Sequence, residues 1–249
     1  MCLDLDKAGQ ALRVPPVSCL LSPVSFEHTL VIALIDYGAG NLTSVRKALA
    51  HLGTTVTTPG TPADLTSAGG VIIPGVGNFA VTAALGPDWR AAILDHIGRQ
   101  RPLLGICVGM QWLFDGSEEA PGHRGLELLA GTNRLLTEAA RDDERAGDST
   151  TGPDTGVGVS RFKIPHVGWN SLHLTRRSWL LDGVAEGDQV YFTHSFAAPV
   201  TADCVGTTCY GVDFAAAVEQ DHVGGVQFHP EKSSDVGLRI LQNFLQKVS

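Results

Sequence analysis

Cys107 lies in Gly105-Ile-Cys-Val-Gly109, where an apolar, strand-like run over 103–106 hands over to a segment patterned as a helix over 108–114. A tight strand-to-helix turn of this kind projects its central side chain above the sheet edge, and flanking glycines relieve the crowding. The start of a helix also presents unpaired N–H groups and the positive end of its dipole, both of which favour a thiolate. The combination suits nucleophilic attack on an acyl carbon. Taken alone, the same five residues fit a buried structural cysteine between two glycines.

A thiolate nucleophile needs a base and a group that orients the base. Of nine histidines, one has a suitable companion: His229-Pro-Glu231. Residues i and i+2 of an extended segment point to the same side, and Pro230 biases His229 towards extended geometry. Glu231 can then hold one ring nitrogen while the other faces the sulfur, the logic of a Cys-His-Glu triad. His194 is the competing candidate for the base. Acyl transfer also needs donors for the developing oxyanion. The N–H of Val108, next after the cysteine, is one. A second should come from a neighbouring strand end, and Pro74-Gly-Val-Gly77 follows the preceding strand with glycines that permit close approach. Without their companions, His229-Pro-Glu231 reads as a strand-end histidine before a turn proline, and Pro74–Gly77 as an ordinary tight turn.

The elements that must position these residues are legible in outline. Apolar runs over 30–35, 71–73 and 103–106 alternate with helical patterns over 42–52, 88–100 and 108–114, the signature of a parallel, doubly wound sheet. In such sheets, sites gather at the carboxyl ends of the strands. Short strands over 189–193, 205–209, 215–219 and 223–228 are separated by turns, so the second half reads as antiparallel, before a last helix over 234–247. The expected fold is α/β: a central, mostly parallel sheet with flanking helices and an antiparallel extension. One domain spans 30–249. Residues 1–29, with three prolines and no basic or long apolar segment, read as a disordered extension and not as a signal peptide. The polar, Gly/Thr-rich stretch 137–160 reads as a surface-loop insertion.

The bulk numbers exclude several classes. A net charge of −8 with no Lys/Arg cluster argues against a nucleic-acid partner. No stretch is long and apolar enough to predict a membrane span. Five irregularly spaced cysteines without a C-x-x-C pair give no metal site and suggest a reducing, cytoplasmic setting.

Six segments occur in the order found in class I glutamine amidotransferases: Gly38-Ala-Gly-Asn41, Pro74-Gly-Val-Gly77, Gly105-Ile-Cys-Val-Gly-Met-Gln111, Pro165-His-Val-Gly-Trp-Asn170, Tyr191-Phe-Thr-His-Ser195 and Phe228-His-Pro-Glu-Lys-Ser233. Over 30–249 the chain resembles that family, and within it the glutaminase subunits of imidazole glycerol phosphate synthase in histidine biosynthesis. The resemblance implies a triad of Cys107, His229 and Glu231, and an oxyanion hole from the N–H groups of Val108 and Val76, the latter after a peptide flip. It implies that Gly75, Gly77, Gln111, Glu119, Ser195 and Phe196 hold glutamine. It implies a (β/α)8 cyclase as heterodimer partner, contacted through Asn41, His166, Trp169, Tyr191 and Lys232, with ammonia passing between the subunits out of reach of water. It implies no cofactor. Phe196 stands where the family more often has tyrosine. The alternatives are a glutaminase for anthranilate, pyridoxal phosphate or guanylate synthesis, and a non-catalytic binding subunit of the same fold.

Overall fold

The structure, a computed structural model, describes residues 31–136 and 163–248. The extension expected over 1–29 and the loop expected over 137–160 lie outside the described residues.

The first half alternates strand and helix as its patterning predicts. In chain order it runs β1 (Val31–Leu34), α1 (Leu42–His51), β2 (Thr55–Thr57), β3 (Gly70–Ile73), α2 (Pro87–Gly98), β4 (Leu103–Ile106) and α3 (Val108–Gln111). Two short strands follow, β5 (Gly116–Ser117) and β6 (Thr132–Leu135). The second half comprises β7 (His166–Ser171), β8 (His173–Leu174), β9 (Gln189–His194), β10 (Phe196–Ala197), β11 (Cys204–Tyr210), β12 (Val212–Gln220), β13 (Val223–Val226) and α4 (Ser234–Val248). Among the described residues, eight strands form one sheet in the order β2-β1-β3-β4-β13-β12-β11-β8. Neighbours from β2 to β13 are parallel, and β12, β11 and β8 extend the sheet antiparallel. A pair, β7–β9, and a trio, β10-β6-β5, lie apart from it.

Both faces of the sheet are covered at β1, β3 and β4, which is why these strands read as unbroken apolar runs, whereas the edge strand β2 is Thr-Val-Thr with exposed ends. Strand alternation divides the core in two. Ile32, Leu34 and Ile72 face the side closed by Val45 and Leu49 of α1 and Ile240, Leu241 and Phe244 of α4. Ala33, Val71 and Ile73 face the side closed by Ile93 of α2 with Leu113 and Phe114. Among the described residues no helix is long and apolar enough to cross a membrane.

The strand that matters most for the site is β13. It follows the β11–β12 hairpin in sequence yet inserts beside β4 in parallel, with Val226 opposite Ile106. The carboxyl end of β13, which leads to His229, is thereby level with the end of β4, which leads to Cys107. One expected element is shorter than its pattern. The helix anticipated over 108–114 ends at Gln111, because the bonds of Leu113 and Phe114 tighten to i−3 spacing and Leu126 N–H and Glu127 N–H take the carbonyls of Trp112 and Phe114.

Candidate active site

Cys107 caps the one-turn helix α3 with φ +54°, a conformation that a non-glycine residue rarely adopts. Its N–H donates to the Val226 carbonyl at 2.8 Å, and its carbonyl accepts from Gln111 N–H at 3.0 Å, so the turn is pinned from both sides. The glycines explain how so tight a turn fits. A Cβ on Gly105 would lie 2.7 Å from the Gly109 carbonyl oxygen and the Met110 nitrogen, closer than side chains approach. At the sulfur, the Thr193 carbonyl lies 3.9 Å away, and Gln227 Nε2 lies 3.6 Å away.

His229 and Glu231 pair as expected, but not along an extended segment: His229 is extended, and a 3-10 turn over Pro230–Lys232 brings the carboxylate back to the ring. His229 Nδ1 is 2.9 Å from Glu231 Oε1, and both side chains are buried. Burial alone would push the imidazole down. The hydrogen bond to the Cys107 side chain and the bond and charge of Glu231 outweigh it and hold His229 at about 10. Both interactions favour the protonated ring, with Nδ1–H on the carboxylate and the other N–H toward the sulfur. A cysteine sulfur beside such an imidazole is placed to add to a carbonyl carbon, and the imidazole to pass a proton to a leaving nitrogen.

The turn after β13 is tied to β9. His229 N–H donates to the Tyr191 carbonyl at 2.9 Å. The Ser233 hydroxyl accepts from Tyr191 N–H at 3.0 Å and donates to the His229 carbonyl at 2.7 Å. His194, the competing base, is not free for that role. Its Nδ1 bonds the Phe196 carbonyl and its Nε2 bonds His166, and burial pushes it down to about 3.

The loop after β3 packs on the elbow. A Cβ on Gly75 would fall 2.7 Å from Val108 Cβ and 2.8 Å from the Gly109 nitrogen. Gly77 has φ +90° and open space around its Cα hydrogens. Val76, between them, is exposed. The loop 38–41 touches it in turn: a Cβ on Gly40 would meet Pro74 Cγ at 3.3 Å.

A pocket of about 280 Å³ opens beside the sulfur, lined by Gly77, Gln111, Glu119, Ser195 and Phe196 among others. It thus collects the residues expected to hold a small substrate, apart from Gly75, which packs behind it. Gln111 is buried and donates to the Phe196 carbonyl at 2.8 Å and to Gln227 Oε1 at 3.0 Å. Glu119 accepts from Phe79 N–H at 2.7 Å. Phe196 contributes its backbone carbonyl. The aromatic ring at this position therefore leaves these bonds intact whether or not it carries a hydroxyl.

The expected partner-facing residues divide. Trp169 is half exposed and meets Tyr191 edge-on at 6.0 Å, and Lys232 Nζ lies 5.6 Å from the Tyr191 ring centre. Asn41 accepts from Ser44 N–H as the N-cap of α1. His166 is a correction: its side chain is buried, 3% exposed, and stacked on Phe192 and Tyr210. Strand alternation is the reason, since on β7 the exposed Val167 and Trp169 share one side and His166 must take the other.

Sequence reasoning missed Tyr37, Gln227, Ser233 and the pairing of His166 with His194. The Tyr37 hydroxyl is buried, has no protein partner, and faces Gly75 at the elbow. Burial, and then the charge of Cys107, push it well above the usual tyrosine range. Ser233 lies in the motif over 228–233 and Gln227 in the strand expected over 223–228, but only three-dimensional contact reveals their partners. No group of three or more His, Cys, Asp or Glu side chains among the described residues is placed to hold a metal ion.

Comparison with known proteins gives a consistent result. The profile of the family described as glutamine amidotransferase class-I matches residues 33–248. The chain is 43% identical over 217 residues to the imidazole glycerol phosphate synthase subunit HisH of Moorella thermoacetica, covering 86% of this chain and 93% of that one. It is 37% identical over 218 residues to subunit HisH of Methanosarcina acetivorans, covering 86% and 98%. Among solved structures, PurLQS from Thermotoga maritima superposes with a TM-score of 0.62 at 18% identity, over 89% of this chain and all of that chain, a likeness of fold.

Proposed function

The chain belongs to the class-I glutamine amidotransferases, in the HisH family of imidazole glycerol phosphate synthase subunits, and from that premise we propose that it hydrolyses glutamine at Cys107 and delivers the ammonia to a (β/α)8 cyclase subunit. The cyclase then makes imidazole glycerol phosphate and AICAR in histidine biosynthesis, in the cytoplasm. The observation that carries the reading is the convergence of Cys107, buried His229 and Glu231 at the adjacent ends of β4 and β13.

The chemistry follows from the atoms. The Cys107 sulfur adds to the side-chain amide carbon of glutamine. Negative charge develops on the amide oxygen, where the Val108 N–H and, after a flip of its peptide, the Val76 N–H are the donors. The C–N bond breaks as His229 passes its proton to the departing nitrogen, which leaves as ammonia, and a glutamyl thioester remains. Water then gives a proton to His229 and adds to the thioester carbon. The sulfur leaves, and glutamate is released. Glu231 holds the ring throughout and does not touch substrate. Gln111, Glu119 and the backbone at Ser195 and Phe196 take the α-amino and carboxylate groups, and Gly75 and Gly77 shape the pocket wall.

Trp169, Tyr191, Lys232 and Asn41 form the docking face. Tyr191 is bonded through its backbone to His229 and Ser233, so the partner sits one residue from the triad. Such coupling has a purpose, because glutamine hydrolysed without an acceptor is wasted. The test is the steady-state glutaminase rate of the chain alone, with cyclase, and with cyclase plus its nucleotide ligand. The rate should rise at each step. Equal rates in all three would defeat the reading of partner control, and no glutamate in any would defeat the activity itself.

A further inference from the structure

Two buried histidines take no part in the chemistry above, yet they join the docking strands to the pocket. Their hydrogens can be assigned from the acceptors. His194 Nδ1 lies 2.9 Å from the Phe196 carbonyl oxygen, which can only accept, so Nδ1 carries the hydrogen. Burial holds both rings neutral, His166 at about 4 and His194 at about 3. His194 Nε2 is therefore an acceptor, and His166 Nδ1, 3.1 Å away, must donate to it. His166 Nε2 is left to accept, and Asn170 Nδ2 approaches it at 3.4 Å while also donating to the Cys209 carbonyl at 3.0 Å. The hydrogens thus run one way, from Asn170 through both rings to Phe196.

The chain continues into the pocket. The Phe196 carbonyl also takes one Gln111 Nε2 hydrogen at 2.8 Å. The other goes to Gln227 Oε1 at 3.0 Å, and Gln227 Nε2 faces the Cys107 sulfur at 3.6 Å. The rings cannot easily turn to other partners. His166 stacks on Phe192 at 4.8 Å and on Tyr210 at 3.9 Å, with interplanar angles of 21° and 20°. Breaking any link strands a buried polar group, so the chain holds its geometry as a unit.

The same strands carry the exposed aromatic pair. In the β7–β9 register, His166 is opposite His194 and Trp169 is opposite Tyr191. A movement of one strand against the other that repacks the outer pair must change the inner pair. We infer that His166 and His194 are positioning residues for glutamine, fixing the Phe196 carbonyl and the Gln111 amide from the inner side of the strands whose outer side meets the partner. The link to partner docking rests on the proposed function; the positioning of the pocket does not.

The test uses the complex with the cyclase and two variants. His166→Phe keeps a stackable ring and removes both nitrogens. His166→Asn returns an N–H near the place of Nδ1. The expected result is a rise in the KM for glutamine of roughly 10- to 100-fold in His166→Phe, the range that one unmade buried hydrogen bond corresponds to, and substantial recovery in His166→Asn. Ammonium-dependent turnover by the complex should not change. An unchanged KM in His166→Phe, or equal losses in both variants, overturns the inference. The unmodified chain supplies an independent measurement if a variant fails to fold or if the complex proves to have no glutaminase activity. Ring 15N spectra should show both histidines with hydrogen on Nδ1, and both rings should shift when glutamate saturates the pocket. Hydrogen on Nε2 of either ring, or rings indifferent to glutamate, overturns it as well.

Discussion

Replacing Gly75 by alanine puts a methyl group where the loop after β3 meets the elbow. Its carbon would lie 2.6 Å from the Tyr37 hydroxyl oxygen, 2.7 Å from Val108 Cβ and 2.8 Å from the Gly109 nitrogen. Contacts between such atoms settle at about 3.5–4 Å, so roughly 1 Å must be found. The Tyr37 hydroxyl oxygen lies on its ring axis, so turning the ring does not move it, and the other two atoms belong to the turn that presents Cys107. The loop must therefore move away from the elbow, and with it the Val76 N–H that is proposed to flip toward the oxyanion. Overpacking of this size costs about 1–3 kcal/mol in stability. Loss of one oxyanion donor costs about 10²–10³ in kcat. Gly77→Ala is the control: at φ +90° it carries backbone strain, but nothing lies within 4 Å of its new carbon. The assay compares glutamine-dependent and ammonium-dependent synthase turnover in the complex. Gly75→Ala should lose the first and keep the second, and Gly77→Ala should be the milder. A Gly75→Ala enzyme within about threefold of the parent rate, or a Gly77→Ala enzyme that is worse, would refute the reasoning.

Two further outcomes are expected. His229→Ala should lower glutamine hydrolysis by about 10⁴ or more, and Glu231→Gln by less, because the carboxylate acts through the ring; a mild His229→Ala beside a severe His194→Ala would mean that the base is misassigned. Stability should peak near neutral pH, read from urea midpoints at acid, neutral and alkaline pH. His229, raised to about 10, contributes stability that is complete below its unfolded value near 6.5 and is lost as pH climbs through 10. His166 and His194, lowered to about 4 and about 3, act in the opposite sense: the unfolded chain binds their protons first, so stability falls as pH drops from 6.5 towards 4, by up to about 1.4 kcal/mol per unit for each ring. Midpoints that fall steadily with rising pH would contradict the assignment of His166 and His194, and midpoints that rise steadily would contradict that of His229.

The sequence carries the local part of this site and hides the rest. Gly105–Gly109 and His229-Pro-Glu231 are legible because their geometry is set within five residues or fewer, by glycine freedom and by the proline ring. Strands β1, β3 and β4 are legible because burial on both faces leaves continuous apolar runs, whereas the exposed edge strand β2 has none. The insertion of β13 beside β4 is different. It pairs Val226 with Ile106 across 120 residues, and no local pattern specifies that register. The same holds for the Gln227 and Tyr37 contacts at the elbow. His166 was misplaced at the surface for a simpler reason: period-2 alternation forbids residues 166 and 169 from facing the same side of one strand, and the exposed Trp169 fixes which side is out.

The central claim, that Cys107 forms the covalent bond to substrate, is tested most directly by a glutamine analogue that alkylates thiols, followed by peptide mass mapping of the intact complex. Cys204 is buried and pushed up to about 11, and Cys209 is exposed but also raised, both chiefly by burial. Neither is paired with a histidine held by a carboxylate, as Cys107 is with His229 and Glu231. One label per chain on Cys107, blocked by excess glutamine, is the predicted result; label on any other cysteine with Cys107 unmodified would contradict the account.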